Sequence, residues 1–400
     1  MAEHSGSLGR ETFLSSLPSA PAKVPIWRDV RVLRWLFQIA VLAVVGLIIY
    51  WIWGNYQTNI ERSSVQTDLR FLDNPASFTI PGNDFDQSSP VRAAFVQGFL
   101  NTIQVALVGI FFATILGTIV GIARLSKNLV VKTIAAAYVE VIRNLPLLLL
   151  LTFMNLAVVL QTFPRIEDAW KPLDLFVISN RGLAIPWFEG SAGQLALLVL
   201  AGIVLAVIVV RLERARADKV GRPSRGLLLG TLALAIVPVV GWITLGYTWT
   251  LPFVDGRGTS GGLRLDPSFF ALIVALVVYT SSHIAEIVRG SILAVPRGQG
   301  EAADALALSN SQKMRIIILP QAFRVAMPAL GNQYLNLIKN SSLGATISYF
   351  ELTQIAQITV GNGSPAVPAF TLTLLVYLAI SLFTSLFVNY FNRRLALVER

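Results

Sequence analysis

The chain has 400 residues, of which 54% are hydrophobic and only 14% charged. Soluble domains carry about 25% charged residues, so most of this chain takes lipid rather than water as its solvent. It has no cysteine and two histidines, His4 and His283, which excludes disulfide staples, thiolate metal sites, cysteine nucleophiles and a histidine metal cluster.

A membrane-spanning helix needs about 20 mainly apolar residues. Residues 1–35 hold no such run and are rich in Ser, Pro, Gly and Ala at the start, which predicts a mobile tail. Residues 36–53 form a first span. It is followed by Gly54-Asn55-Tyr56 rather than a small-x-small cleavage site, so it reads as a retained anchor. The polar segment 54–94 lies outside the membrane on this reading. Residues 95–122 form the second span, and 133–163, with Glu140 and Arg143, the third. Two further runs, 193–210 and 227–250, belong to an insertion over 164–266. Spans at 267–288, 323–345 and 367–391 complete the series within 267–400, giving eight in all.

Lys and Arg in the loops set orientation. With a cytoplasmic N-terminus, the cytoplasmic segments 1–35, 123–133, 211–225, 289–324 and 392–400 hold 22 Lys and Arg, against 8 in the opposite loops. Both termini are therefore expected on the cytoplasmic side. The net charge of +10 is then mostly a topology signal, and nucleic acid is not an expected partner. The stretch 211–225 reads as a basic loop between two spans.

No Lys follows a Gly, so the chain has no G-x-x-x-x-G-K-[ST] phosphate loop, and it contains no H-E-x-x-H. Gly117-Thr-Ile-Val-Gly121 fits the small-xxx-small pattern of close helix packing.

The most informative stretch runs from Val295 through Gly300, Glu301, Ala302, Ala303, Asp304, Ala305, Leu306 and Ala307 to Asn310, and then to Ile318-Leu319-Pro320. Pro296 and Gly300 are expected to end one element. Glu301 then stands near a new helix N-terminus, where negative charge is favoured, and the alanines keep that helix slim enough for another protein's groove. Pro320 marks the expected start of the next membrane helix.

This stretch resembles the EAA loop of permease subunits of ATP-binding-cassette importers, and further motifs extend the likeness. They are Gly98-Phe-Leu-Asn-Thr102-Ile-Gln104, Tyr138-Val-Glu140-Val-Ile-Arg143-Asn-Leu-Pro146-Leu147, Ala285-Glu286-Ile-Val-Arg289-Gly290-Ser-Ile292, Pro320-Gln321-Ala322 and Lys339-Asn340-Ser341-Ser342-Leu343. Together they cover about 92–160 and 267–392, a five-helix core, and resemble the polar amino-acid uptake family. The extra first span and the two-span insertion are similar to the Q-type permeases of the general L-amino acid and glutamate/glutamine/aspartate/asparagine systems. The family usually has Gly where Ala307 stands, so a less sharp turn is expected there.

The resemblance implies an all-α integral membrane protein with the type I importer permease fold, about eight transmembrane helices and a five-helix core. It implies a permease subunit of an ATP-driven amino-acid importer in the bacterial inner membrane, with its coupling loop at 290–320. The implied partners are a second, related but different permease chain, two ATPase subunits that carry the ATP and Mg, and a periplasmic amino-acid-binding protein. No cofactor is implied for this chain itself. The alternative is an ion-gradient-driven secondary transporter or channel.

Ionisable groups within spans are costly and face partners or cavities. Glu140 with Arg143, and Glu286 with Arg289, have the i, i+3 spacing of local ion pairs. A zwitterionic cargo needs an acceptor for its ammonium and donors for its carboxylate. Gln104, Ser282, His283, Glu286, Lys339, Asn340, Ser341 and Ser342 offer these groups and form the candidate cargo path.

Overall fold

The computed structural model describes residues 29–63, 68–82, 85–189, 192–222, 224–256 and 258–395. Most of the tail expected over 1–35 lies outside the described residues. The chain divides into two units, Met1–Thr67 and Asp68–Arg400. In the first, helix α1 spans Val30–Ser63, nearly twice the expected 18 residues. Trp35 stands near one end of its apolar run and Tyr50, Trp51, Trp53 and Tyr56 near the other, matching the aromatic belts of membrane interfaces.

The second unit opens with Phe71, Phe78 and Ile80, which are buried against α2 (Val91–Ala123) and a later short helix. The polar segment of the sequence reading thus carries its own apolar anchors. Next comes α3 (Leu129–Arg143), capped by the Asn128 side chain, which accepts from the Val130 and Val131 N–H groups. Then α4 (Leu147–Phe153) continues as a π-helical stretch over Met154–Thr162. The span expected at 133–163 is therefore not one straight helix: its two halves meet at 102°. Pro146 is the cause, because it lacks an N–H and disfavours the α conformation at the residue before it.

The insertion folds as three small antiparallel sheets around a helical hairpin. Strands β1 (Val177–Ser179), β2 (Gly182–Ile185) and β3 (Trp187–Glu189) precede α5 (Ala192–Val220) and α6 (Gly226–Thr244). Strands β4 (Thr248–Thr250), β5 (Phe253–Asp255), β6 (Gly258–Ser260) and β7 (Leu263–Leu265) follow. The pairing of β2 with β7, Leu183 opposite Leu265, zips the two ends of the insertion together. Two expectations change here. The segment 211–225 is helical as far as Val220, and the run expected at 227–250 ends as a helix at Thr244 before the β4 strand.

The core resumes with α7 (Pro267–Leu293), the short α8 (Arg297–Ala305) and α9 (Leu319–Asn340). The path into α9 begins at Asn310 and passes through a π-helical stretch, Lys313–Ile318, so Pro320 lies inside a continuous helical path rather than at its start. The wider π turns suit a proline that cannot donate to the preceding turn. A 3₁₀ segment, Ser341–Ile347, leads to α10 (Leu352–Gly361) and α11 (Ala366–Leu395).

Among the described residues five helices are long and apolar enough to cross a membrane, or six if the bent α3/α4 pair is one span. The other two expected positions are filled by α5 and by α9, whose charges and amides make it the most polar of the long helices. At the centre α2 packs on α7, with Ala113, Ile284, Ala326, Leu330 and Leu337 buried where they meet α9.

Candidate functional site

Helices α7 and α9 flank α8, and between them lies a polar cavity of about 260 Å3. Its walls are Tyr279, Thr280 and His283 from α7 and Gln333, Asn336 and Asn340 from α9. On α7 these are spaced i, i+1, i+4, and on α9 i, i+3, i+7, so each set shares one helix face. The cavity is near the lower end of small-molecule pockets, roughly 300 Å3. All six side chains are neutral hydrogen-bonding groups apart from the imidazole. The His283 ring lies 4.8 Å, centroid to centroid, from Tyr279, and its Nε2 is buried without a hydrogen-bond partner. Arg143, at the end of α3, is near enough for its charge to act on His283.

Of the candidate path residues, only His283 and Asn340 line this cavity. Lys339 and Ser342 line a different one of about 440 Å3, with Thr353, Thr373 and Tyr377 among its walls. Ser282 and Ser341 are buried, and their hydroxyls donate to the Tyr279 and Ile338 carbonyls at 2.6 and 2.7 Å. Gln104 lies on an exposed face of α2 beside Leu100 and Leu107. The carboxylate of Glu286 accepts from Arg289 at 2.6 Å and also from Arg124 at the end of α2. That pair holds α2 to α7 in addition to bridging i, i+3. The matching pair expected at Glu140 and Arg143 does not form: both side chains are exposed, and Asn144 instead donates to the Glu140 carbonyl at 2.8 Å.

Helix α8 begins directly after Pro296, whose extended backbone (φ −54°, ψ 134°) sets the first turn. Gly300 is therefore inside the helix, and Glu301 stands beyond the first turn rather than at the N-terminus as expected. Ala303 is fully buried, whereas Glu301, Ala302, Asp304, Ala305 and Leu306 are exposed. The Lys313 ammonium grips Asp304 at 2.7 Å, tying α8 to the π stretch behind it. After Ala305 the helix closes with a double backbone bond: Ala307 N–H to the Asp304 carbonyl at 2.9 Å and Leu308 N–H to the Ala303 carbonyl at 3.1 Å. This closure requires a left-handed residue, and Ala307 supplies it at φ +52°. The turn is as sharp as a glycine would make it, contrary to expectation, and the alanine carries the steric cost.

Sequence reasoning missed the buried cluster at the start of α10. Glu351, fully buried, accepts from the Thr353 and Gln354 N–H groups, both at 2.9 Å, and from the Tyr377 hydroxyl at 2.6 Å. Burial pushes its carboxyl up to about 7, with the hydrogen bonds from Thr353, Tyr377 and Gln354 opposing that rise. Thr102, from the Gly98–Gln104 motif, accepts from the Leu352 N–H at 3.2 Å and joins this cluster to α2. An acidic residue three positions before Gln354 is a legible capping signal; its tyrosine partner is not.

Residues 199–397 match the model of the binding-protein-dependent transport system inner membrane component. The putative amino-acid ABC transporter permease protein YhdX of Escherichia coli is 40% identical over 92% of this chain and 95% of its own length. The general L-amino acid transport system permease protein AapQ of Rhizobium johnstonii is 37% identical over 91% of this chain and 92% of its own. BztB of Rhodobacter capsulatus, a glutamate/glutamine/aspartate/asparagine transport system permease protein, is 33% identical over 93% and 96%. A crystal structure of an amino acid ABC transporter with histidines aligns with 76% of this chain and 94% of its own, at 20% identity and a TM-score of 0.46. The three sequence relatives replace the alternative of an ion-gradient-driven transporter. The chain belongs to the amino-acid ABC transporter permeases, as a multi-pass inner-membrane subunit without an ATPase site of its own.

Proposed function

We propose that this permease carries its cargo past the neutral polar cavity between α7 and α9, and that α8 links the cavity to a separate ATPase. The single observation that carries the reading is this cavity, placed between the two helices that flank α8. The amide oxygens of Gln333, Asn336 and Asn340 suit a cargo ammonium. Their NH₂ groups, the Thr280 hydroxyl and the unpartnered His283 suit its carboxylate. Among the candidate residues His283 and Asn340 contact cargo, and Lys339, Ser341 and Ser342 shape the neighbouring end of α9. Glu286 acts as a latch on the far side of His283.

The working assembly pairs this chain with a second, different but related permease, two ATPase subunits that bind the ATP and Mg, and a periplasmic amino-acid-binding protein. Its relatives' membership of amino-acid uptake systems supports this composition. Both termini and α8 face the cytoplasm on the loop-charge argument. In the cysteine-free chain, a Cys at Ser224 should then resist an impermeant thiol label in intact cells and a Cys at Ser88 should react.

The test is competition of radiolabelled uptake by a panel of unlabelled amino acids, in His283→Ala and Asn340→Ala variants at matched membrane abundance. Altered competition profiles are expected. Unchanged profiles in both, with any loss tracking abundance, would remove the cavity from the path.

A further inference from the structure

The basic end of the insertion hairpin has no role in transport as described above. The segment 211–225 holds six Lys and Arg against two acidic residues. Its first ten residues extend α5 beyond its apolar run. Alongside them, between α5 and α6, runs a groove of about 330 Å3. Its walls are apolar, with Ala206, Val207 and Val210 on one side and Leu227 and Leu234 on the other, and Arg211 and Arg214 stand at one end.

Three features make that end a place for an anion. Neither Arg211 nor Arg214 has an ion-pair or hydrogen-bond partner among the described residues. The carboxylate in the same turn, Glu213, is buried and already bonded to Arg222 at 2.9 Å, so it does not neutralise them. Helix α6, with 19 residues, starts at this end, so its first-turn N–H groups and positive dipole end add to the field. The Ser224 side chain takes the Gly226 N–H at 3.1 Å, and no side chain caps the turn further.

We propose that this groove is a binding site for an anionic phospholipid. One acyl chain lies along the apolar walls between α5 and α6, and Arg211 and Arg214 hold the phosphate. The stretch from Ala206 to Arg214 rises about 12 Å along α5, enough to line the upper part of an acyl chain. Two unpaired guanidinium groups favour a headgroup of net negative charge over a zwitterionic one, whose own ammonium offsets its phosphate.

The experiment is native mass spectrometry of the full chain, with whatever subunits co-purify, in detergent. It is titrated separately with phosphatidylglycerol, phosphatidylethanolamine and inorganic phosphate. The expected result is retention of phosphatidylglycerol in preference to phosphatidylethanolamine. The Arg211→Gln/Arg214→Gln variant should weaken that retention by about twenty-five-fold, each arginine near an anionic headgroup counting for roughly a factor of five. Arg211→Lys/Arg214→Lys should retain most of it. Val207→Trp, which fills the groove and leaves both arginines in place, should also weaken it. Equal retention of the two lipids, or retention unchanged in the double-Gln variant, overturns the proposal. Binding of inorganic phosphate that equals the lipid's and ignores Val207→Trp overturns it too, since the site would then be one for a free anion.

Discussion

A Cβ on Gly117 would stand 2.6 Å from the Ile284 Cβ and 2.8 Å from the Ser281 carbonyl oxygen. Gly117 of α2 and Ile284 of α7 are thus in backbone-to-side-chain contact at the centre of the permease, and four residues on, a Cβ at Gly121 would meet the Ala285 carbonyl at 2.7 Å. The small-xxx-small spacing is the physical means by which α2 and α7 approach this closely.

Gly117→Ala is therefore expected to force the two helices apart. Overpacking of this kind costs roughly 1–3 kcal/mol. The measurement is thermal unfolding of the purified subunit in detergent, where the midpoint should fall relative to wild type. Gly46→Ala in α1, where nothing stands within 4 Å of the added Cβ, is the control and should leave the midpoint in place.

The burial pattern of α8 separates docking from folding. Ala302 is exposed and Ala303 fully buried. Ala302→Arg is expected to abolish uptake at normal abundance, because under the proposed docking role of α8 a bulky cation there obstructs the ATPase groove and nothing in this chain. Ala303→Arg is expected to lower abundance instead, since its side chain has no room inside the subunit. ATPase co-purification and immunoblotting of membranes distinguish the two outcomes; undiminished uptake by Ala302→Arg would sink the docking role of this face.

The Arg124–Glu286–Arg289 cluster is expected to act as a tie between α2 and α7 rather than as a selectivity element. Glu286→Gln removes charge-assisted bonds whose partners are only partly shielded, with the Arg124 and Glu286 side chains 20% and 29% exposed. The expected loss is roughly 1–3 kcal/mol. A double-mutant cycle with Arg124→Gln should show coupling, and the amino-acid competition profile should stay as in wild type. A changed profile would instead put Glu286 in contact with cargo.

Glu351 sits in the connection between α9 and α11, and burial raises its carboxyl to about 7 from its ordinary 4.5. In the unfolded chain it ionises at about the ordinary value, so between the two values the folded state holds more protons. Stability is then greatest below the unfolded value, falls as pH rises from about 4.5 to about 7, and levels off above that. Glu351→Gln should flatten this part of the curve. The check is the unfolding midpoint of wild type and variant across that range; parallel curves would show that another group is responsible.

The family, the apolar segments and the short helix that carries Glu301 were legible in the sequence because each depends on local pattern: a run of apolar residues, a motif, a proline. Local pattern also carried the small-residue spacing at Gly117 and Gly121, though not the identity of the helix it meets. It misplaced what depends on how local rules compete. Gly300 reads as a breaker, yet Pro296 one turn earlier already fixes the start of α8. Ala307 reads as a poor turn residue, yet the two closing backbone bonds hold it left-handed.

What the sequence by itself determined was the solvent of the chain, its family and the place of the short helix that carries Glu301. All three follow from composition and from residues close together in the chain. Tertiary structure alone decided the partners of each polar group. Glu286 and Arg124 are 162 residues apart and meet through the α2–α7 packing. Gln333, Asn336 and Asn340 become a cavity wall only because Tyr279, Thr280 and His283 face them from α7. A side chain's helical period gives its face, and only the packing of the helices decides what that face meets.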